Sequence, residues 1–353
     1  MKITVAIPCY NQENRIARCL ESILTQDYQD FEVLVIDDHS TDKSVSIVED
    51  TLAKYAAIPS RHIINETNLG LNIVRNIAIR EASGDCLFFV DADDTIESGT
   101  LTLFHQKMEE TGAEVVCGSF RKTDFKGNTI LEKRYPAYRY EGVFAISTYI
   151  ENHLTPQFGL FPISVWNKLY RLSFLRQHHI RCIDSHRYCE DNYFSLQVAL
   201  NAKSVVFIDT ITYNYIQSSS SICNQKADHI KCDSIYAVMT SLFQEYGKLR
   251  SSNNVKPIPK GLMYLINMMC LTGGMLNIFY SSALSKKEKK DFLKWVKKQF
   301  RQHNIRRKDI VGIYNIITFT ILVSPCPYYL FHFYFKHIKT VVRVVNFLPA
   351  IMH

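Results

Sequence analysis

None of the chain's ten cysteines stands in a CxxC pair or a tight framework. That excludes a disulfide-stapled scaffold and a zinc ribbon, and it fits a reducing compartment. His178, His179 and His186 likewise lack zinc-ligand spacing. There is no GxGxxG turn, no GxxxxGKS/T loop, no HExxH and no GxSxG. The fingerprints of dinucleotide oxidoreductases, P-loop NTPases, zinc peptidases and α/β-hydrolases are therefore missing. Internal repeats and low-complexity tracts are absent too. No basic-then-apolar leader precedes the first β-rich run, so the catalytic part is expected in the cytoplasm.

Most of the chain also lacks an excess of either charge. The net charge is +7, yet Lys286 to Asp309 alone carries eleven Lys or Arg against three acids. The remainder is close to neutral, which argues against a nucleic-acid-binding core and for one local basic patch. At 353 residues, 47% of them hydrophobic, the chain has room for one large domain with an annex, or for two domains.

What is present is an alternation of strand and helix signals. Ile3 to Ile7 is a β-rich run ended by Pro8, and Ile16 to Leu24 has helical spacing. Phe31 to Ile36 is an apolar strand stopped by Asp37-Asp38, after which Ser40-Thr41-Asp42 opens a helix. Arg61 to Ile64, Asn72 to Ala82 (closed by Gly84) and Cys86 to Val90 continue the rhythm. This pattern predicts an α/β fold, a Rossmann-like doubly wound, mostly parallel sheet. Ligands bind such sheets beyond the carboxyl ends of the strands, and the polar clusters Pro8-Tyr10-Asn11, Asp37-Asp38 and Asp91-Asp93 all fall there. Residues 97–118 add one helix and strand. From 119 to 225 the pattern turns irregular and aromatic, as expected of loops and short elements over the ligand edge. Helical periodicity returns over 227–280.

Phe88-Phe89-Val90 runs straight into Asp91-Ala92-Asp93-Asp94. Carboxylates crowded at a strand end repel one another and lose hydration, so a divalent cation carrying a diphosphate, Mn or Mg, is the natural occupant.

Six stretches in order resemble glycosyltransferase family 2, the inverting, metal-dependent transferases of the GT-A fold. They are Val5 to Asn11, Val35 to Asp42, Asn68 to Leu71 with Arg75-Asn76, Phe89 to Asp94, Trp166 to Tyr170, and Glu190 to Asn192. The resemblance implies a GT-A domain over 1–225, with a nucleotide-sugar half at 1–118 and an acceptor half at 119–225. Residues 226–353 form a helical C-terminal extension. Asp91 would contact ribose or the metal, and Asp93 the cation bridging two phosphates, with Asp94 in support. Asp191 matches the position of the family's base, with Glu190 orienting it or exchanging roles with it. Physically, Pro8 turns Tyr10 outward to stack on a nucleobase while Asn11 bonds nearby polar groups. Asp38 is free to accept from a pyrimidine imide, which favours uracil, and Asp37 caps the following turn. His39 replaces the usual Gly, and His tolerates positive φ. Asn68, Gly70 and Arg75 suit a diphosphate or a base carbonyl; Arg75 also reads as a surface helix charge. Trp166 reads as an acceptor platform or as core. Tyr213, Tyr215 and Ser218 to Ser221 resemble a flexible stretch over the donor.

Ile310 to Phe335 carries no Asp, Glu, Lys or Arg for 26 residues, but Pro325 and Pro327 interrupt it. With the basic run before it, whose aromatics include Trp295, it reads as docking on the inner face of an anionic membrane rather than spanning it. A buried core helix stays open, and a homodimer is compatible with the sequence. The expected activity is transfer of a sugar from a UDP-sugar to a hydroxyl of a glycan or lipid-linked oligosaccharide. A sugar-nucleotide-binding scaffold and a nucleotidyltransferase are the rivals.

Overall fold

A computed structural model of the chain describes residues 1–142, 144–152, 164–183, 190–217, 229–251, 259–267 and 281–306, with short pieces at 269, 278–279, 310, 322 and 327–330. The backbone forms two compact units, Met1–Ile146 with Pro162–Asn224, and Ser147–Phe161 with Gln225–His353.

The first unit is built on one sheet. Its N-terminal half comprises β1 (Ile3–Cys9), β2 (Phe31–Asp37), β3 (Ser60–Ile64) and β4 (Cys86–Phe89), joined by α1 (Ile16–Leu24), α2 (Ser44–Lys54) and α3 (Leu71–Glu81). Then come β5 (Thr95–Ile96), α4 (Thr100–Thr111), β6 (Val115–Thr123), β7 (Thr129–Lys133) and β8 (Tyr138–Glu141), and, after α5 (Ala145–Asn152), most of which belongs to the second unit, β9 (Lys168–Arg171), α6 (Leu172–Gln177), α7 (Glu190–Asn201) and β10 (Ser204–Ile216). The order is β3-β2-β1-β4-β9-β6-β10-β5, with β7 on β6 and β8 on β10. Along the run from β3 to β10 only β9 is reversed, being antiparallel to both β4 and β6. β1 and β2 are buried along their whole length, as continuous apolar strands covered on both faces should be. The chain winds outward from β1 to β3 and then returns to β4 on the other side of β1. The switch point therefore lies between the carboxyl ends of β1 and β4.

Several boundaries differ from the sequence reading. β1 does not stop at Pro8 but runs through it to Cys9, with Pro8 opposite Ile36. The Ala6 carbonyl accepts from Val90 on the β4 side, so Pro8, of the same parity, aims its missing donor where the pairing with β4 has ended. The second helix starts at Ser44, not at Ser40. Ser40 Oγ and Asp42 are instead spent on the backbone N–H groups of Asn11 and Glu13, tying the loop after β2 to the loop after β1. Gly84 does not cap α3, which ends before it; a Cβ there would lie 2.7 Å from the Lys2 carbonyl, so the residue permits a close backbone approach. Where it is described, the region 119–225 is more regular than expected. β10 alone has 13 residues, and its β-branched and aromatic run SVVFIDTITYNYI carried the signal.

In the second unit, α8 (His229–Ser251) and α9 (Lys260–Asn267) match the helical periodicity over 227–280 where that stretch is described. The α9 amide groups of Gly261 and Leu262 donate to Glu151 and Ser147. The basic run forms α10 (Lys286–Gln302), opened by a reciprocal capping box between Ser285 and Glu288. Its Phe292, Leu293, Val296 and Phe300 are buried, with Phe292 and Trp295 against Tyr236, and Phe300 against Phe243. The helix's apolar face is thus core, and its outward face is charged, with Lys286, Lys287, Lys290, Lys294, Lys298 and Arg301 alongside Glu288 and Asp291. Among the described residues no helix is long and apolar enough to cross a membrane. Most of 310–335, together with Ser218 to Ser221, lies outside the described residues.

Glu32 tests how β1 and β2 are locked. It is buried opposite Thr4; burial would raise its pKa, but hydrogen bonds from Lys2, Ser83 and Thr4 hold it down to about 2. A depressed carboxylate contributes stability that is present above the unfolded pKa and lost as pH falls through the folded one. Glu32→Gln should cost about 1.5–3 kcal/mol in urea unfolding at pH 7. The gap to wild type should shrink as pH falls from about 4.5 toward 2. An equal gap at pH 7 and pH 3 would contradict this account.

Candidate active site

The carboxyl ends of β1 and β2 are laced together before any ligand enters. Tyr10 is 46% exposed beyond β1. Asn11 takes φ 51°, and its side chain accepts from the Thr41 N–H at 2.9 Å. Asp37 Oδ1 accepts from Ser40 N–H at 2.7 Å, the expected turn cap, and His39 adopts φ 65°. Asp38 departs from expectation. Its carboxylate already accepts from Asn65 Nδ2 (2.9 Å), Leu69 N–H (2.8 Å) and Gly70 N–H (2.7 Å). Asn68 Nδ2 donates to the Asp38 carbonyl at 3.2 Å. Asp38 is therefore the organiser of the loop entering α3. With about four acceptor directions on a carboxylate, one is left for an incoming N–H. Gly70 sits at φ 91°, where a side chain would be strained, so glycine lets the two amides converge on Asp38.

Beyond β4 the acidic turn is pinned from beneath. Tyr213 on β10 accepts from the Asp91 N–H at 3.1 Å and donates to Asp94 Oδ2 at 2.8 Å, while Ile216 N–H donates to Asp94 Oδ1 at 2.7 Å. Asp94 is 1% exposed and holds the turn, whereas Asp91 and Asp93 keep partly exposed carboxylates. Tyr213 thus lies in a central strand, contrary to the reading of a flexible stretch. Burial raises Asp91 to about 6, with Arg75 opposing and Asp93 and Asp191 adding to the rise. Burial also raises Asp93 against the pull of Arg15, and it drives Asp94 well up, with Asp93 and Asp91 reinforcing it. Arg15 Nη1 lies 3.7 Å from Asp93 Oδ2 and its guanidinium sits over Phe125.

This donor set is short of positive charge, and a hard divalent cation would supply it. Among the described residues no three His, Cys, Asp or Glu side chains are arranged to hold a metal alone. Asp93 and Asp91 do fit the pattern in which one or two carboxylates share an ion with substrate phosphates.

Arg75 is 1% exposed, so it is not a surface helix charge. Its Nη1 donates to Asp191 Oδ1 at 2.6 Å and its Nη2 to Asp91 Oδ1 at 3.1 Å. One guanidinium therefore joins the acidic turn after β4 to the first turn of α7. Glu190 opens that helix; its side chain is outside the described atoms. Lys168, in the Trp166 to Tyr170 stretch, is buried, and burial lowers its pKa to about 8, with Cys117 and Asp191 opposing the drop. Trp166 stacks on Tyr213 (4.6 Å, 13°) and Tyr215 (5.7 Å, 6°) and packs edge-on to Phe120. It is joined to the core through Tyr213 while staying partly accessible. Arg15, Lys168 and Tyr213 are the site residues that sequence reasoning missed or misplaced, since only tertiary contact brings them to the carboxylates. A cavity of about 610 Å³ lined by Met1, Asp85 and Arg171 lies at the opposite end of the strands and is unrelated to this cluster.

The chain matches the family model "Glycosyl transferase family 2" over residues 4–178. It is 31% identical over 219 residues to glycosyltransferase GlyA of Streptococcus pneumoniae, covering 61% of this chain and 30% of GlyA. It is 26% identical over 220 residues to the uncharacterized glycosyltransferase EpsJ of Bacillus subtilis, covering 62% of each. The chain thus spans less than two thirds of either relative. Among solved structures it resembles S. aureus TarS 1–349 in complex with UDP-GlcNAc, with a TM-score of 0.70 at 19% identity over 96% of this chain and 92% of that one. That likeness carries the fold, a mixed α/β domain of GT-A type with a helical C-terminal region.

Replacing Tyr213 by Phe leaves Asp94 and the Asp91 amide without their shared hydroxyl. Tyr213→Phe should lower the unfolding free energy by about 1–3 kcal/mol. An unchanged denaturation midpoint would show that the turn is held otherwise.

Proposed function

The chain belongs to glycosyl transferase family 2, and we propose that it transfers a sugar from a UDP-sugar to a hydroxyl of a glycan or lipid-linked oligosaccharide, with inversion, in cell-surface polysaccharide synthesis. The observation that carries this reading is the Asp91–Arg75–Asp191 chain, which brings the carboxylate after β4 and a carboxylate of α7 together at the sheet's switch point. The uridine assignment is supported by the UDP-GlcNAc complex of TarS, a protein of the same fold, and by the remaining acceptor direction on Asp38.

In this mechanism Tyr10 stacks on the base, Asp38 accepts the imide N–H, and Asn11, Asn68, Gly70 and Pro8 shape the cradle. Asp93 and Asp91 would hold Mn or Mg, which supplies positive charge to the departing diphosphate when bound. Asp191 takes the acceptor hydroxyl's proton on the face away from the leaving group. Glu190, its neighbour in the first turn of α7, supports it. Trp166 offers an indole edge or face to the acceptor sugar. The outward lysines of α10, with its aromatics turned inward, would meet the anionic inner face of a membrane by charge.

The test is turnover of UDP-, GDP- and dTDP-sugars with Mn or Mg by wild type, Asp93→Ala and Asp191→Asn. One UDP-sugar should be consumed with metal. Asp93→Ala should lose metal-dependent UDP binding, and Asp191→Asn should keep it while turnover falls about 10²–10⁴-fold. Absence of metal-dependent nucleotide binding in the wild type would overturn the transferase reading in favour of a scaffold.

A further inference from the structure

We propose that Arg75 is a positioning residue that sets the span between the two ends of the reaction site, holding the base Asp191 at a fixed distance from Asp91. The proposal rests on the transferase reading above.

Three observations carry it. The guanidinium is buried, so it cannot swing out to a bound diphosphate without emptying its pocket. Its two Nη atoms reach carboxylates from elements far apart in the chain, one after β4 and one on α7. Finally, α3 itself is fastened to the chain that leads into α7. Asn72 Nδ2 donates to the Ile183 carbonyl at 2.9 Å, Asn76 Nδ2 to the Cys182 carbonyl at 3.0 Å, and the Cys182 N–H to Asn76 Oδ1 at 2.9 Å. Arg75 therefore projects from a helix already braced against the α7 side, and its planar fork closes the last link to the catalytic turn.

The planar fork matters because it fixes two directions at once, which an ammonium does not. An inverting displacement needs the acceptor oxygen, the sugar carbon and the leaving oxygen in line, so the base and the leaving-group carboxylate must keep their separation. A misplacement of about 1 Å costs on the order of a hundredfold in rate. Lysine at this position would keep the charge, and hence much of the field, but lose the second contact.

The experiment uses the full chain and four variants: Arg75→Lys, Asp191→Asn, Asp191→Glu and the double Arg75→Lys/Asp191→Asn. UDP with Mn is the binding probe in calorimetry, and the UDP-sugar consumed fastest in the panel above is the kinetic probe. Expected is UDP affinity within about threefold of wild type for Arg75→Lys, with kcat down about a hundredfold. The double variant should be no slower than Asp191→Asn alone, because both changes remove one coupled element. Asp191→Glu keeps the buried cation and lengthens the base, so it should lose rate comparably, with UDP affinity unchanged; this holds even where Arg75→Lys folds poorly. The inference is overturned if Arg75→Lys loses UDP affinity in proportion to kcat, which would make Arg75 a donor contact. It is also overturned if the two losses multiply in the double variant, or if Asp191→Glu turns over like wild type. Absence of metal-dependent UDP binding in the wild-type protein is a separate failure, that of the transferase reading itself, and removes this inference with it.

Discussion

A guanidinium cannot shed its proton at any pH a protein survives, so a buried arginine must be surrounded by groups that compensate it. In this chain Arg75 is that constraint. Folding α3 against the sheet with Arg75 on its inner face requires carboxylates at the same point, and Asp91 and Asp191 converge on it from opposite sides. The compensation is incomplete in the other direction. Asp91, Asp93 and Asp94 crowd one turn, and burial raises all three toward protonation even with Arg75 and Arg15 nearby. A site with carboxylates to spare and a buried cation already committed is prepared for additional positive charge from outside.

The topology explains why these groups meet. Strand order places the ends of β1 and β4 side by side at the switch point, and the loops that leave them have no sheet neighbour to cover them. Each loop is stiffened by side-chain to backbone bonds: Asp38 on the amides entering α3, Asp37 on Ser40, and Asp94 with Tyr213 under Asp91. The Tyr213 hydroxyl is notable because β10 belongs to the far half of the sheet. Through it the acidic turn and the Trp166–Tyr215 stack share one support, so the donor side and the aromatic side of the site are mechanically continuous.

The second unit illustrates how an amphipathic pattern can be satisfied internally. The basic run with its aromatics, Trp295 among them, reads in the sequence as part of a membrane-docking segment. In the structure Tyr236 and Phe243 occupy its apolar face, because an apolar stripe of this width is buried against a neighbouring helix when one is available. The charge of the helix remains on its outer face.

The sequence alone determined the alternation of strands and helices through residue 118, the location of polar clusters at strand ends, the acidic turn, the family and the helical character of 227–280 where that stretch is described. These follow from periodicity and short-range chemistry, which are local. It also flagged Asp91, Asp93 and Asp191. It did not show that Asp38 already holds the amides of Leu69 and Gly70 or that Arg75 is buried rather than a surface charge, and it passed over Lys168 and Arg15. Those roles depend on which loop folds back onto which carboxylate and on how completely a charge is enclosed. Only the tertiary structure decided them, because hydrogen-bond occupancy and desolvation are properties of a surrounding assembled from residues more than a hundred positions apart, such as Arg75 and Asp191.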